Sequence, residues 1–267
     1  MSVDAVINSS AATGDPVEYI DLPSPQLTDY RDGVGLVAPF DFALDDEYWR
    51  WMPTGHPLHI TRTEYSDHTI VNEQLAQDVS DAKVVVPAIR SLALSTPMAV
   101  GYACTSGSFV NGNAGEYLLQ ETMAAAGAKN PVTTSGALRE ALAMLGIKKV
   151  AIATPYDHLL TERLVNFLAA SGVSVTKAGY LGSESDIMHI GYATVRDMAR
   201  TIDDDAAEAL FFSCTNLRTY DIIEELEQRL GKPVLSANQV TVWAMLRAAG
   251  LPMPTVNQRL FTDTSLR

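Results

Sequence analysis

From Val34 onward, short apolar runs alternate with amphipathic stretches. Val34–Ala38, Met98–Cys104, Val150–Thr154, Val173–Leu181, Ala209–Cys214 and Val234–Ser236 are brief, continuous and closed by polar or turn residues. That pattern predicts buried strands, and Leu58–Thr63 is a further candidate. Between them the period lengthens. Leu160, Leu164 and Leu168 recur every four residues and predict a helix over 158–171. Ile222, Ile223, Leu226 and Leu230 predict another over 219–230, stopped by Gly231. Asn113-Ala-Gly-Glu116 reads as a capping box opening a helix over 114–126, and Ser135 reads as the cap of a helix ending before Gly146. Strands alternating with helices predict an α/β fold of parallel sheets covered by helices on both faces.

Superimposed on this alternation is a repeat. Gly35-Leu-Val-Ala-Pro39-Phe-Asp41 is matched by Ala151-Ile-Ala-Thr-Pro155-Tyr-Asp157. Tyr102-Ala-Cys104-Thr105 is matched by Phe212-Ser-Cys214-Thr215, and Pro131-Val-Thr-Thr134 by Pro233-Val-Leu-Ser236. The landmarks recur in the same order, so the chain reads as two diverged copies of one unit. Residues 1–33 stand outside the repeat and read as an N-terminal extension, broken by Pro16, Pro23 and Pro25 and acidic at Asp15, Glu18, Asp21, Asp29 and Asp32.

A chain of 267 residues can bury a sizeable core as one large domain or two lobes. Its formal charge of −13 argues against nucleic acid and anionic membranes as partners, and an anionic substrate would need local donors to overcome the field. No apolar run reaches membrane-spanning length, and Met1-Ser-Val-Asp-Ala-Val lacks the basic and apolar regions of a signal peptide. Two widely separated cysteines predict a reducing, cytoplasmic setting rather than a disulfide scaffold. No Cys-x-x-Cys occurs, and histidines 56, 59, 68, 158 and 189 have no ligand spacing, so no metal site is expected.

A lone cysteine after an apolar strand is ordinarily a small buried hydrophobe. Cys104 and Cys214, however, occupy equivalent places where a strand meets a loop rich in Thr, Ser and Asn. Doubly wound sheets bind ligands beyond the carboxyl ends of their strands, so the two thiols are expected in one cleft. Thr105, Ser106 and Ser108 offer hydroxyls, Gly107 allows close backbone approach, and Thr215 and Asn216 offer a hydroxyl and an amide. Both segments are expected to open onto helices, whose free N–H groups would hold a carboxylate and lower a thiol pKa from its usual value near 8.5. Pro39 and Asp41 close the first strand of one copy, Pro155 and Asp157 that of the other. Asp41 and Asp157 are equally readable as helix caps. Tyr156 carries a hydroxyl that its counterpart Phe40 lacks, which suits a site treating two ends of a substrate differently.

Taken together, Cys104-Thr-Ser-Gly-Ser108, Ala153-Thr-Pro-Tyr156, Phe212-Ser-Cys214-Thr215 and Pro233-Val-Leu-Ser-Ala-Asn-Gln239 followed by Trp243 resemble the aspartate/glutamate racemase superfamily. The similarity spans about residues 34–250 and points to the branch holding maleate cis–trans isomerase, arylmalonate decarboxylase and the ectoine-utilisation proteins. It implies two pseudo-symmetric doubly wound parallel-sheet lobes with the site between them: 34–134 plus 237–267, and 135–236. It also implies no cofactor, no metal and a homodimer or homotetramer. Similar decarboxylases have glycine at the first cysteine, so Cys104 argues against a pure decarboxylase. Maleate isomerases carry both cysteines and a tyrosine matching Tyr156. They also carry asparagines where this chain has Asp41 or Phe42 and, in the second half, near Asp186. The threonine after each cysteine and Asn238-Gln239 look more like the ectoine-utilisation branch.

The resemblance implies an isomerase of a small carboxylate, most readily a dicarboxylate. Cys104 would be the nucleophile and Cys214 the proton donor and acceptor, with Tyr156, Thr105, Ser106, Thr215, Asn216, Pro39, Asp41 and Asp186 around the substrate. A racemase or decarboxylase acting at an α-carbon, and a non-catalytic carboxylate-binding protein of a catabolic pathway, remain alternatives. A binding protein would have ordinary thiols; a catalyst is expected to have at least one with a depressed pKa.

Overall fold

The apolar runs form two four-stranded parallel sheets with the same internal order. In the computed structural model, which describes residues 17, 19, 20 and 31–262, the first sheet runs β2-β1-β3-β4. Its strands are β1 (Val34–Ala38), β2 (Leu58–Arg62), β3 (Ala99–Tyr102) and β4 (Pro131–Thr133). The second runs β6-β5-β7-β8, from β5 (Lys149–Thr154), β6 (Ser174–Tyr180), β7 (Ala209–Phe212) and β8 (Val234–Ser236). The repeat in the sequence is therefore a repeat of topology. Residues 1–31 make a unit of their own, of which residues 17, 19, 20 and 31 are described and exposed. Asp32 and Gly33, the end of the predicted extension, belong to the second unit, and the extension's remaining residues lie outside the described ones.

The central strands β1, β3 and β7 are buried throughout, and β5 from Val150 on, which is why they read as unbroken apolar runs. The run Val173–Leu181 misleads. Its strand β6 lies at a sheet edge and none of its residues is fully buried, because one flank has no neighbour to cover it. The short β4 is not among the predicted strands, although its repeat partner β8, equally short, is.

Helices fill the crossovers: α1 (Asp45–Trp51), α2 (Glu73–Ser80), α3 (Ala82–Ser91), α4 (Thr105–Phe109), α5 (Gly112–Ala125), α6 (Thr134–Met144), α7 (His158–Ala170), α8 (Tyr192–Ile202), α9 (Ile223–Leu230), α10 (Ala237–Ala249) and α11 (Arg259–Thr262). The leucine stripe of α7 is buried as its period requires, and Asp157 caps that helix by accepting from the Leu160 N–H. Two caps differ from expectation. α5 begins at Gly112, before the proposed box, and Glu116 is buried, accepting instead from Thr133, Gln120 and Arg139. α6 is capped by Thr133, which accepts from the Gly136 N–H, while Ser135 lies inside the helix and pairs with Ser108. The segment predicted as helix 219–230 is a 3-10 turn over Tyr220–Ile222 followed by α9.

Helix α10 follows the second sheet yet packs against β3 of the first. A Cβ on Gly101 would lie 2.3 Å from Met245 Sδ, so the helix meets the strand where only glycine fits. Asn238 and Gln239 belong to this packing, because Asn238 donates to Glu47 and Gln239 to Gln258. Glu47, on α1, is fully buried and also accepts from the N–H groups of Thr219 (2.6 Å) and Tyr220 (2.9 Å). One carboxylate thus satisfies donors from two segments and ties both to α1. Glu47→Ala is expected to cost roughly 3 kcal/mol or more, since each orphaned buried donor costs about 1–3 kcal/mol. Urea unfolding reads this directly, and a loss below about 1 kcal/mol would show that water replaces the carboxylate.

Candidate active site

Strand register brings the chemistry together. Val37 pairs with Tyr102, so the residues after β1 and β3 are neighbours; Ala153 pairs with Phe212, so those after β5 and β7 are too. One cavity is accordingly lined by Pro39, Asp41, Cys104, Thr105, Ser106, Tyr156, Cys214, Thr215 and Asn216. Val71, Leu75 and Val79 from α2 and its approach, with Ile187, complete the wall. The cavity holds only about 40 Å³, far below the roughly 300–1,000 Å³ of sites for drug-sized ligands. A wider groove of about 370 Å³ near Glu73 and Arg163 has no thiol in its lining.

The apolar side of this wall is what sequence reading missed. Asn72 caps α2 by accepting from the Leu75 N–H, and Leu75 and Val79 stand four residues apart. Cap and spacing were both legible as an amphipathic helix, but nothing in them marked a cavity wall.

Cys104 and Cys214 differ locally despite their equivalence. Cys104 is extended and N-caps α4, its sulfur accepting from the Gly107 N–H at 3.3 Å with Ser106 Oγ 3.7 Å away. Gly107 is needed for that turn, since a Cβ there would lie 2.6 Å from the Tyr102 hydroxyl and 3.2 Å from the Cys104 sulfur. Contrary to expectation, a turn and not a helix follows Cys214, whose φ is +89°, a conformation L-residues seldom adopt. Such strain, of order 1–3 kcal/mol, persists where the surroundings over-determine the backbone.

Several predicted site residues are committed to joining the sheets. Thr215 Oγ1 donates to Ala103 O at 3.0 Å. Asn216 donates to Asp41 O at 3.1 Å and accepts from the Ala43 N–H at 2.9 Å, so its amide faces backbone on both sides. Thr105 is the opposite case: its Oγ1 is buried in the cavity wall and has no partner among the described residues. Tyr156 accepts from Ser213 at 3.3 Å, and its phenol also hydrogen-bonds the Cys214 thiol. Asp186 stands apart. It is exposed, left-handed at φ +57°, and bonded to Ser185, while its neighbour Ile187 reaches the cavity.

Neither thiol has the depressed pKa expected of it. Burial pushes Cys104 up, and the Gly107 N–H and the Ser106 hydroxyl offset only part of that. Burial likewise raises Cys214 to about 12 against the Asn216 N–H, and Asp41 and Cys104 push it the same way. Burial also raises the carboxyl of Asp41, with Arg62 opposing. The reason is that no lysine, arginine or histidine among the described residues lines the cavity. The helix N–H groups that would favour a thiolate cannot outweigh desolvation without a cation. Among the described residues no cluster could hold a metal ion, and no helix is long and apolar enough to cross a membrane.

A family model for arylmalonate decarboxylase matches residues 65–261. The chain belongs to this family. Similar proteins include a maleate isomerase of Alcaligenes faecalis, 30% identical over 73% of this chain and 75% of that one. A liganded double mutant of arylmalonate decarboxylase superposes with a TM-score of 0.80 at 27% identity, covering 88% of this chain and all of that one. A cysteine-to-serine mutant of the Nocardia farcinica maleate cis–trans isomerase, solved with a covalently bound succinylcysteine intermediate, superposes at 0.73 with 25% identity, covering 87% and 99%. The family and its two-sheet α/β fold agree with the resemblance read from the cysteine and tyrosine motifs, and its named relatives are isomerases and decarboxylases.

The raised thiol has a signature in stability. Its contribution is complete below the unfolded value, near 8.5, and is lost as pH rises toward a folded value of about 12. Wild type is expected to lose stability from this source by up to ~1.4 kcal/mol per pH unit, less because Cys214 is only half-buried, and Cys214→Ala should lack the loss. Urea midpoints between about pH 8.5 and 10.5 compare the two. Parallel pH dependence would mean that Cys214 titrates like a free thiol.

Proposed function

We propose that this chain is a cofactor-independent cis–trans isomerase of a small dicarboxylate, working through both cysteines. The observation that carries the reading is that Cys104, Cys214 and Tyr156, from equivalent strand ends of two sheets, line one small cavity. The size of that cavity favours a compact acid over an aryl substrate.

In this reading the Cys104 sulfur adds to one alkene carbon of a cis-enedioate. The π electrons move to the other carbon and into its carboxylate, as in covalent catalysis by an activated nucleophile. Cys214 gives its proton to that carbon and takes up the one Cys104 loses, so the net change is addition of S–H across the double bond. The C–C bond is then single and rotates. Reversal of the same transfers expels the Cys104 sulfur and leaves the trans acid. Because the proton passes between the two thiols, the route is compatible with a resting site in which both are neutral. The succinylcysteine named for the Nocardia relative is what thiol addition and protonation of a four-carbon enedioate would produce. The Tyr156 proton and the unpartnered Thr105 hydroxyl are the donors for charge that builds on the carboxylate.

Proton NMR of the protein with maleate in D₂O tests the reading, with fumarate as the expected product. α-Deuterium exchange in chiral amino or hydroxy acids, without fumarate, would instead identify a racemase using the same two thiols. Cys104→Ala and Cys214→Ala should each cut turnover by orders of magnitude while keeping the fold. Retention of most activity by either folded variant rules out the two-thiol route.

Tyr156→Phe separates stabilisation of the intermediate from simple binding. Loss of a donor to developing charge lowers kcat by about 2–4 kcal/mol in barrier, whereas loss of a ground-state contact mainly raises KM. A fall in kcat is expected, and Phe40→Leu should show only a packing effect. Unchanged kinetics for Tyr156→Phe would leave the thiols and backbone donors to carry the chemistry.

A further inference from the structure

A cavity that takes a dianion normally presents a cation, and this one presents an acid. Among the described residues, Asp41 is the only ionisable acid or base other than the thiols and Tyr156 in its lining. The other polar candidates are largely spent. The Asn216 amide is held on both sides by backbone, and Thr215 donates to Ala103. No other side chain among the described residues hydrogen-bonds the Asp41 carboxyl, and its own backbone N–H alone reaches it. An ionised Asp41 would therefore face a substrate carboxylate across a cavity of about 40 Å³, with like charges in contact and little water to screen them.

We propose that Asp41 binds one carboxylate of the substrate as a neutral acid, donating its O–H to a carboxylate oxygen in place of the missing cation. The inference rests on the dicarboxylate reading above and names the residue that selects for it. An acid–carboxylate pair of this kind is a charge-assisted hydrogen bond, stronger than a neutral one. The proton is acquired with the ligand, since a dianion beside the carboxyl disfavours its ionised form.

The groups that act on Asp41 support this. Arg62, on β2, favours the ionised form but is already paired with Asp45 at 2.7 Å and lies over the Phe42 ring. Cys104 and Cys214 face Asp41 across the cavity, and the Tyr102 phenol couples to it from β3. All three stay protonated through neutral pH, since burial raises each. Burial raises Asp41 in the same direction. Of the groups around the cavity, Asp41 alone is expected to change protonation when a dianion binds near neutral pH.

The test is succinate binding by calorimetry, in buffers of different ionisation enthalpy, from about pH 6.5 to 8.5, above the titration of the ligand's own carboxyls. Wild type should take up close to one proton, and its Kd should rise roughly tenfold per pH unit. Asp41→Asn donates at every pH, so its Kd should be flat, its proton uptake absent and its binding at the upper end of the range tighter than wild type. Asp41→Ala should bind weakly throughout. A wild-type Kd independent of pH, or an Asp41→Asn variant that keeps the wild-type slope, overturns the proposal. If no dicarboxylate binds at any pH, both this inference and the dicarboxylate reading fall. If succinate binds with an Asp41-dependent slope while maleate is not isomerised, the inference stands and the proposed reaction alone falls.

Discussion

The polar groups at the carboxyl ends of β1, β3, β5 and β7 must be satisfied where apolar strands stop. This chain satisfies several of them across the boundary between its two sheets. Thr215 donates to the carbonyl beside Cys104, and Asn216 bridges the backbone at Asp41 and Ala43. The residues next to Cys214 are thus the fasteners between halves, and the cavity exists because these bonds hold two sets of strand ends face to face. Glu47 does the same on the outer side, joining α1 to Thr219, Tyr220 and Asn238. Position of the thiols and attachment of the sheets are one problem with one solution.

The same closeness sets the electrostatics. Two thiols, the Tyr156 phenol and a carboxyl line one small space, with no cation among its described lining residues. Burial biases each toward its neutral form, so the thiols and the phenol of the unliganded cavity hold their protons, and the Asp41 carboxyl is pushed in the same direction. This inverts the usual picture of an activated cysteine, in which a helix N-terminus or a base keeps a thiolate ready. It also divides the copies. Cys104 caps a short helix in an ordinary extended conformation, while Cys214 sits in a left-handed turn beside a tyrosine. Duplication supplied the two-fold plan, and divergence at these turns made the halves chemically unequal.

Much of the fold was legible because its strands are buried on both faces. Continuous apolar runs at Val34–Ala38, Val150–Thr154 and Ala209–Phe212, separated by amphipathic segments, leave little but a parallel α/β arrangement. Edges and caps were less legible. Val173–Leu181 has a core-like composition yet lies at an edge, since burial there depends on a neighbour the local sequence does not specify. Glu116 has the spacing of a capping box but is drawn inward by Arg139 and Thr133, residues distant in the chain.

By itself the sequence determined that the chain is duplicated, that its sheets are parallel, that Cys104 and Cys214 stand at equivalent strand ends, and that Tyr156 follows another strand end. These follow from hydrophobic period and from repeated landmarks, both local properties of the chain, with Cys104 equivalent to Cys214 and Tyr156 to Phe40. Tertiary structure alone decided which of the neighbouring polar residues face the cavity and which are consumed in holding it together. It left the Thr105 hydroxyl unpartnered, tied Asn216 to backbone, put Asp186 outside the lining, and added Val71, Leu75, Val79 and Ile187 to the wall. It also decided the protonation of the thiols, because desolvation depends on everything packed around a group, and no short motif carries that information.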